Sequence, residues 1–358
     1  MNYLSFFELK LEPFSNAPVS QYYFGSQQHG RALVRLMHAI ESMKGLAVLI
    51  GDIGAGKTTT ARRLLESLPE EQYEAALLVM VQAGVSPQWL LTKIAYQLGV
   101  TQPSDDKTRL LGQLYRRLYA IHESGRKAVV LVDEAQMLNT RELMSEVRGL
   151  LNMEIPDQKL LTILFFGLPE LEDNLKLDPP LYQRIAVRCR LDPLSMEATE
   201  AYIKHRLRLS GARRMLFTQE AVQAIHRASS GIPRLINTIC DNALFDGFLT
   251  RTNPVTARII DRVVSELGYD GVTERGGYRS GPPSPFAGFA EDTGHRPRGL
   301  GQVEEVDFGR SRGEPPGGSD EPGRGGEGKR PGKPEEPRKD GSSSLNDINA
   351  ILAALENK

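Results

Sequence analysis

Over the first half of the chain, apolar runs alternate with segments in which apolar residues recur every three or four positions. The runs predict buried strands at 45–50, 75–81, 128–132 and 160–166. The segments between them predict helices with capping residues at their ends, at 27–44, 58–68, 86–99, 105–123 and 140–152. Because strands and helices alternate, we expect an α/β fold with a parallel sheet covered on both faces.

The pattern changes after residue 195. Four helical segments follow without a strand-like run between them, at 197–209, 218–229, 233–249 and 256–267. Gly211, Gly231 and the Asn253-Pro254 pair mark the joints between these segments. This part of the chain is therefore predicted to be a second, all-helical domain.

The two ends of the chain differ from these domains. Clustered aromatic residues and two prolines near the N-terminus favour a packed arm over one long helix. Beyond residue 268, Gly, Pro and charged residues dominate, and too few aliphatic residues remain to form a core. The last segment regains one apolar helical face, made by Leu345, Ile348, Leu352 and Leu355.

We divide the chain into an N-terminal arm at 1–25, an αβ core at 26–194, a helical lid at 195–268, a disordered linker at 269–341 and a short amphipathic helix at 342–358.

A phosphate-binding loop follows the first predicted strand. Gly51, four further residues, then Gly56, Lys57 and Thr58 match the P-loop pattern. Glycines let backbone N–H groups surround phosphate oxygens, and the following helix adds the positive end of its dipole. The Lys57 amine can reach the β- and γ-phosphates of ATP, and the Thr58 hydroxyl can hold Mg²⁺. The predicted ATP-binding residues are Gly51, Asp52, Ile53, Gly54, Ala55, Gly56, Lys57, Thr58 and Thr59.

Two carboxylates come directly after the run at 128–132, which is the Walker B arrangement. Asp133 is placed to hold Mg²⁺, directly or through water. Glu134 is placed to orient the attacking water and accept its proton. Downstream of a P-loop in an alternating αβ pattern, this pair predicts ATP hydrolysis.

Arginines near the end of the core and in the lid are further candidates. Phosphoryl transfer develops negative charge that a guanidinium can stabilise, from the same chain or from a neighbour. Arg184 is the first candidate for an arginine finger and Arg188 the second. Arg234 follows a turn between two lid helices and is placed to face the γ-phosphate. A solvated surface arginine is the alternative at each position.

Composition narrows the setting. A net charge of −1 and a pI near 6.6 do not indicate a nucleic-acid binder. Cys189 and Cys240 fit a reducing compartment and are expected to pack as small apolar side chains. The N-terminus has no basic region typical of a signal peptide, and the longest apolar run, at 160–168, is too short to cross a bilayer. We therefore expect a cytoplasmic protein with no transmembrane segment.

Together these motifs resemble the AAA+ ATPases of the general secretion pathway protein A type, over residues 3–268. The resemblance implies Walker roles for Lys57, Thr58, Asp133 and Glu134, a sensor-2 role for Arg234 and an arginine-finger role for Arg184. Leu168 differs from the polar residue that the family often has for a sensor-1 contact. The resemblance rests on Phe7-Glu8-Leu9, Pro13-Phe14, the loop 51–58, Asp133-Glu134-Ala135-Gln136, Gly167-Leu168-Pro169-Glu170-Leu171, Gln183-Arg184-Ile185, Tyr202, His205-Arg206-Leu207 and Gly231-Ile232-Pro233-Arg234.

The resemblance implies a homo-oligomeric enzyme that binds ATP and Mg²⁺ between core and lid and hydrolyses ATP to remodel or position partner proteins. Those partners would be secretion or pilus assembly components at the inner membrane. The helix at 342–358 lies outside the resemblance, and its apolar face predicts that it recruits such partners; a frayed tail is the alternative for that segment. Two other functions stay open. One is a DNA-associated ATPase of the transposition-regulator type. The other is a nucleotide-dependent binding switch with little turnover, which Leu168 favours.

Overall fold

Seven strands are present in this computed structural model, which describes residues 2–17, 22–156 and 158–269. Five of them form one parallel sheet in the order β2-β3-β6-β1-β7, and β4 pairs with β5 in a small antiparallel hairpin. The strands are β1 (Leu46–Gly51), β2 (Tyr73–Val79), β3 (Lys127–Asp133), β4 (Glu154–Ile155), β5 (Gln158–Lys159), β6 (Leu161–Gly167) and β7 (Ile185–Leu191).

Helices cover both faces of the sheet, as the sequence predicted. Alternate residues of β1 point to opposite faces, so that Leu46 and Val48 join one apolar cluster and Ala47 and Leu49 join another. The helices of this domain and the arm are α1 (Tyr3–Phe6), α2 (Gln27–Glu41), α3 (Lys57–Glu66), α4 (Pro87–Gln97), α5 (Lys107–Glu123), α6 (Arg141–Leu151), α7 (Glu170–Lys176) and α8 (Pro179–Tyr182). Helices α4, α5 and α6 pack on the first cluster, and α2 and α3 pack on the second.

The edge strand β7 was not predicted. Its buried residues Val187, Cys189 and Leu191 alternate with exposed arginines. An edge strand with one solvated face carries alternation in place of a continuous apolar run, and Arg188 and Arg190 interrupt the run that the other strands have. The hairpin of β4 and β5 and the short helices α7 and α8 were also missed.

The lid has four helices over residues 195–269, as predicted: α9 (Met196–Leu209), α10 (Gln219–Ser229), α11 (Pro233–Leu249) and α12 (Ala257–Glu266). Their apolar faces form a separate cluster, which includes Phe7, Leu9 and Phe14 of the N-terminal arm. The arm therefore packs mainly on the lid. Both cysteines are buried free thiols.

No helix in the described part of the chain is long and apolar enough to cross a membrane. The predicted linker beyond Tyr269 and the predicted C-terminal helix lie outside the described residues.

Candidate nucleotide-binding site

A cavity of about 540 Å³ lies at the carboxyl edge of the sheet, where the core, the lid and the arm meet. The P-loop and the residues after β3 form one side, and the arm and the helices α9 and α11 form the other. The predicted site residues that line it are Ile53, Gly54, Ala55, Gly56, Lys57, Thr58, Thr59, Glu134 and Arg234. Gly51 and Asp52, at the start of the loop, contact the Lys57 amine through their backbone carbonyl oxygens.

The P-loop joins β1 to α3 through two glycines with positive φ, Gly54 at 81° and Gly56 at 99°. Lys57 Nζ donates to the carbonyl oxygens of Gly51 at 2.9 Å and Asp52 at 3.0 Å, which keeps its amine inside the loop. Burial lowers the pKa of Lys57, and the charges of Glu134 and Asp133 oppose this effect. The loop is thus closed around a buried amine that faces acceptor oxygens.

Thr58 lines the cavity and is bonded to Asp133, which is buried beside it. Thr58 Oγ1 donates to Asp133 Oδ2 at 2.7 Å, and the backbone N–H of Glu134 donates to Asp133 Oδ1 at 3.0 Å. Asp133 is only 1% exposed at the end of β3. Burial raises the pKa of Asp133, and the hydrogen bond from Thr58 partly offsets this rise. The structure therefore brings the end of β3 to the start of α3, two segments that are distant in sequence.

Glu134 follows with left-handed backbone torsions, φ 54° and ψ 36°. Its side chain accepts a hydrogen bond from Gln136 Nε2 at 2.6 Å. Gln136 Oε1 in turn accepts from the backbone N–H of Leu168 at 3.1 Å. From the sequence, Gln136 had no assigned role. Its place in Asp133-Glu134-Ala135-Gln136 was the only sign that it belongs to the site.

The lid approaches the P-loop at Gly54, and Gly231 of the lid packs against Leu194 at the end of the core. A Cβ atom on Gly54 would lie 2.6 Å from Arg234 Cβ, and one on Gly231 would lie 2.1 Å from the Leu194 carbonyl oxygen. Real Cβ atoms are not found at such distances, so only glycine permits these approaches. The exposed Arg234 side chain lines the cavity from the second position of α11.

Arg184 and Arg188 lie away from the cavity. Arg184 directly precedes Ile185, which pairs with Leu46 at the amino edge of the sheet, whereas the P-loop leaves from Gly51 at the carboxyl edge. Arg184 is exposed, and its Nη1 donates to Asn152 Oδ1. Arg188 is held locally, with its guanidinium 4.0 Å from the centroid of the Tyr182 ring.

The arm is fixed to the lid by a buried arginine. Arg206 on α9 is 4% exposed, and its guanidinium donates to the carbonyl oxygens of Pro13 and Ser15, each at 2.6 Å. It also stacks on Tyr22, 4.2 Å from the ring centroid. Burial lowers the pKa of Arg206, and the neighbouring tyrosines oppose this effect. From the sequence, Arg206 was one of the residues that carry the family resemblance and had no predicted contact, because its partners are distant in sequence.

Two aromatic residues of the arm, Tyr23 and Phe24, line the cavity. The Tyr23 hydroxyl is buried and has no hydrogen-bond partner within the described ranges. Burial raises the pKa of Tyr23 to about 12. This side of the cavity therefore combines two aromatic rings with a polar atom that is left unpaired.

Comparisons with known proteins agree with this geometry. The AAA domain family matches residues 40–175. General secretion pathway protein A of Aeromonas hydrophila is 37% identical over 289 residues, which are 80% of this chain and 52% of that protein. The chain thus spans about half the length of that relative.

Two solved structures share the fold at 17% identity. The structure of Cdc6p from Pyrobaculum aerophilum has a TM-score of 0.55, covering 71% of this chain and 70% of its own. The Aeropyrum pernix ORC2 protein in its ADPNP-ADP complexes has a TM-score of 0.53 and covers 72% of each chain. The sheet order, the P-loop and the family match show that this chain has the AAA+ P-loop fold, and it is similar to general secretion pathway protein A over 80% of its length.

Proposed function

We propose that this protein binds ATP with Mg²⁺ in the cavity between core and lid and hydrolyses it. The observation that carries the proposal is the 2.7 Å hydrogen bond between Thr58 and Asp133. It joins a hydroxyl that lines the cavity to a buried carboxylate, and Lys57 and Glu134 line the same cavity. These are the groups that phosphoryl transfer to water requires.

Thr58 and Asp133 together fit a magnesium ion. Mg²⁺ prefers hard oxygen ligands and is usually bound by one or two protein groups together with phosphates. The Thr58 hydroxyl and the Asp133 carboxylate are of this kind and would hold it. The bound ion neutralises charge on the phosphates during the reaction.

Other residues of the chain position the substrate and move the proton. Lys57 would release the loop carbonyl oxygens and donate to the phosphates, for which P-loop N–H groups are also available. Glu134 would orient the attacking water and accept its proton. Arg234 would approach the γ-phosphate from the lid. The base would lie against the aromatic rings of Tyr23 and Phe24, which line the cavity.

Arg184 would act from a neighbouring copy. Arg184 comes seven residues before Leu191, which pairs with Gly51 at the P-loop edge of the sheet, and this separation is roughly 20–25 Å along the strand direction. A guanidinium there cannot reach a nucleotide in its own cavity. An arginine at this end of the core can complete the site of an adjacent subunit in a homo-oligomer.

Hydrolysis would be coupled to remodelling or positioning of partner proteins, in secretion or envelope machinery. The support is the 37% identity to general secretion pathway protein A, over 52% of that protein. We infer that partners are recruited through the apolar face at 345–355. A pull-down that compares the full chain with a chain lacking 342–358 tests this inference, and identical partner lists would contradict it.

The test of the enzymatic proposal is steady-state phosphate release from ATP and Mg²⁺. Wild-type protein should turn over, and Glu134→Gln should bind ATP normally while hydrolysing it at least ~100-fold more slowly, because the proton acceptor is lost. Asp173→Asn, which alters an exposed carboxylate on α7, is the matched control and should keep the wild-type rate. If the wild-type protein binds ATP but releases no phosphate, the alternative function, a nucleotide-dependent binding switch, is favoured.

A further inference from the structure

Gln136 lies at the wall of the cavity and connects three parts of the core. Its Nε2 donates to Glu134 Oε2 at 2.6 Å, and its Oε1 accepts from the backbone N–H of Leu168 at 3.1 Å. Its main-chain oxygen accepts from Asn174 Nδ2 on α7 at 2.8 Å. One side chain therefore links the residue after β3 to the residue after β6.

The chemistry of its partners fixes which way the Gln136 amide points. A backbone N–H group can only donate, so the atom that faces Leu168 is the amide oxygen. An ionised carboxylate can only accept, so the atom that faces Glu134 is the amide nitrogen. The reversed amide would lose both hydrogen bonds, which means that the donor is held toward Glu134.

The surrounding backbone is shaped to allow this arrangement. Gly167 directly precedes Leu168, and a Cβ atom there would lie 3.1 Å from Gln136 Oε1 and 2.7 Å from Leu171 Cδ2. Glu134 itself has a left-handed backbone at φ 54°, which non-glycine residues keep only when their surroundings enforce it. Its N–H bond to Asp133 and its side-chain bond to Gln136 are two such constraints.

Leu168 explains why the link comes from Gln136. The Leu168 side chain lines the cavity but has no polar atom with which to contact phosphate, water or Glu134. Its backbone N–H is nevertheless used, through the Gln136 amide, to reach the Glu134 carboxylate. The end of β6 and the proposed base are thus connected by a side chain from a different loop.

We propose that Gln136 is a positioning residue, whose amide holds the Glu134 carboxylate in the orientation needed to accept a proton from the attacking water. This inference rests on the proposed function, because it assigns Gln136 a role through Glu134. It predicts that Gln136 affects the chemical step and not the binding of ATP.

The test compares Gln136→Met and Gln136→Glu with wild-type protein, at a concentration where specific activity no longer rises. Methionine removes both hydrogen bonds at similar volume, and glutamate keeps an acceptor for Leu168 but places an oxygen against Glu134. In both variants we expect kcat to fall about ten- to hundred-fold, the range for a hydrogen bond to a charged group. The Kd of ATP, measured by calorimetry, should change less than about twofold, since this role separates kcat from binding.

Gln113 on α5 offers a matched control. Its amide likewise makes one acceptor bond, from the backbone N–H of Ser104 at 2.8 Å, and one donor bond, to Gln102 O at 2.9 Å. Gln113→Met should lower the melting temperature about as much as Gln136→Met and leave kcat unchanged. A general effect of losing a half-buried amide would instead lower kcat in both variants.

A double-mutant comparison separates positioning from any other effect. In the Glu134→Gln background, Gln136→Met should lower the remaining rate less than about twofold, because the group it positions is already gone. A full additional loss in that background, or a normal kcat for both Gln136 variants, would overturn the inference. If wild-type protein and Glu134→Gln hydrolyse ATP equally, the proposed function fails first.

Discussion

The two ends of the cavity are built in different ways. The end proposed for the phosphates uses one strand-loop-helix segment, 46–66, together with Asp133 at the end of β3 and Glu134 directly after it. The base end is assembled from the arm and two lid helices, held by Arg206 and by hydrogen bonds from Asn237 and Asn16. The first end is built mainly from the core, with Arg234 reaching it from the lid, whereas the second exists only when arm and lid are in place. Changes at the two ends should therefore have different consequences.

The largest expected effect is at the phosphate end. Lys57→Ala removes the buried amine that now bonds to Gly51 and Asp52. We expect ATP affinity to fall at least about a thousand-fold, because the charge at the β- and γ-phosphates is lost. Calorimetric titration with ATP and Mg²⁺ measures this. The exposed Lys93 on α4 is a control, and Lys93→Ala should bind ATP as wild type does. Tight binding of ATP by Lys57→Ala would contradict the assignment of the ATP site.

The second prediction asks whether the phosphate end is complete in one copy. If Arg184 serves a neighbour, specific activity should rise with protein concentration, and Arg184→Ala should lose about a hundred-fold in kcat at high concentration. ATP binding should be unchanged. Arg188→Ala is the comparison, because Arg188 is engaged by Tyr182 and Glu172 in its own chain. Activity that is independent of concentration, together with a normal Arg184→Ala, would show that each copy works alone.

The two ends of the cavity also differ in how much of each could be predicted from the sequence. The P-loop and the Asp133-Glu134 pair are contiguous strings, so their type and context were visible, and the fold prediction is confirmed by the matches and the sheet. The contacts of Arg206 join residues 193 and 191 positions apart, and that of Gln136 with Leu168 joins residues 32 apart. No local pattern encodes such pairs, because they depend on how arm, lid and core pack. Strand β7 was missed for a local reason, since its arginines interrupt the apolar run.

The third prediction separates the two ends by ligand. Arg206→Lys keeps the charge but cannot donate to both Pro13 and Ser15 with a rigid fork. The arm should loosen, and the Kd of ATP should rise about tenfold, while that of inorganic tripolyphosphate should stay within about twofold. Arg208→Lys, an exposed neighbour on α9, is the control. An equal loss for both ligands would show that the arm supports the phosphate end as well.

The smallest expected effect lies where the two ends meet. His29 on α2 is buried, its Nε2 is 3.0 Å from the Ala55 carbonyl oxygen in the P-loop, and its ring packs edge-on against Tyr23 of the arm. A carbonyl oxygen only accepts, so Nε2 carries the proton and Nδ1 accepts from Ser26 Oγ at 2.7 Å. Burial lowers the pKa of His29 from its ordinary value of 6.5, and the bond to Ala55 opposes this effect.

The sign of the pH effect follows from the lowered pKa of His29. Below pH 6.5 the unfolded chain binds a proton that folded His29 does not, so the free energy of unfolding falls as the pH drops, until the pKa of folded His29 is reached.

His29→Gln retains an amide donor for Ala55 and does not titrate. As the pH falls from about 7 to about 5, it should therefore lose less unfolding free energy than wild type. Urea unfolding at several pH values measures this. His205, whose pKa burial also lowers, is present in both proteins and does not affect the comparison. Equal slopes for wild type and His29→Gln would mean that the P-loop and the arm are not joined through a neutral histidine.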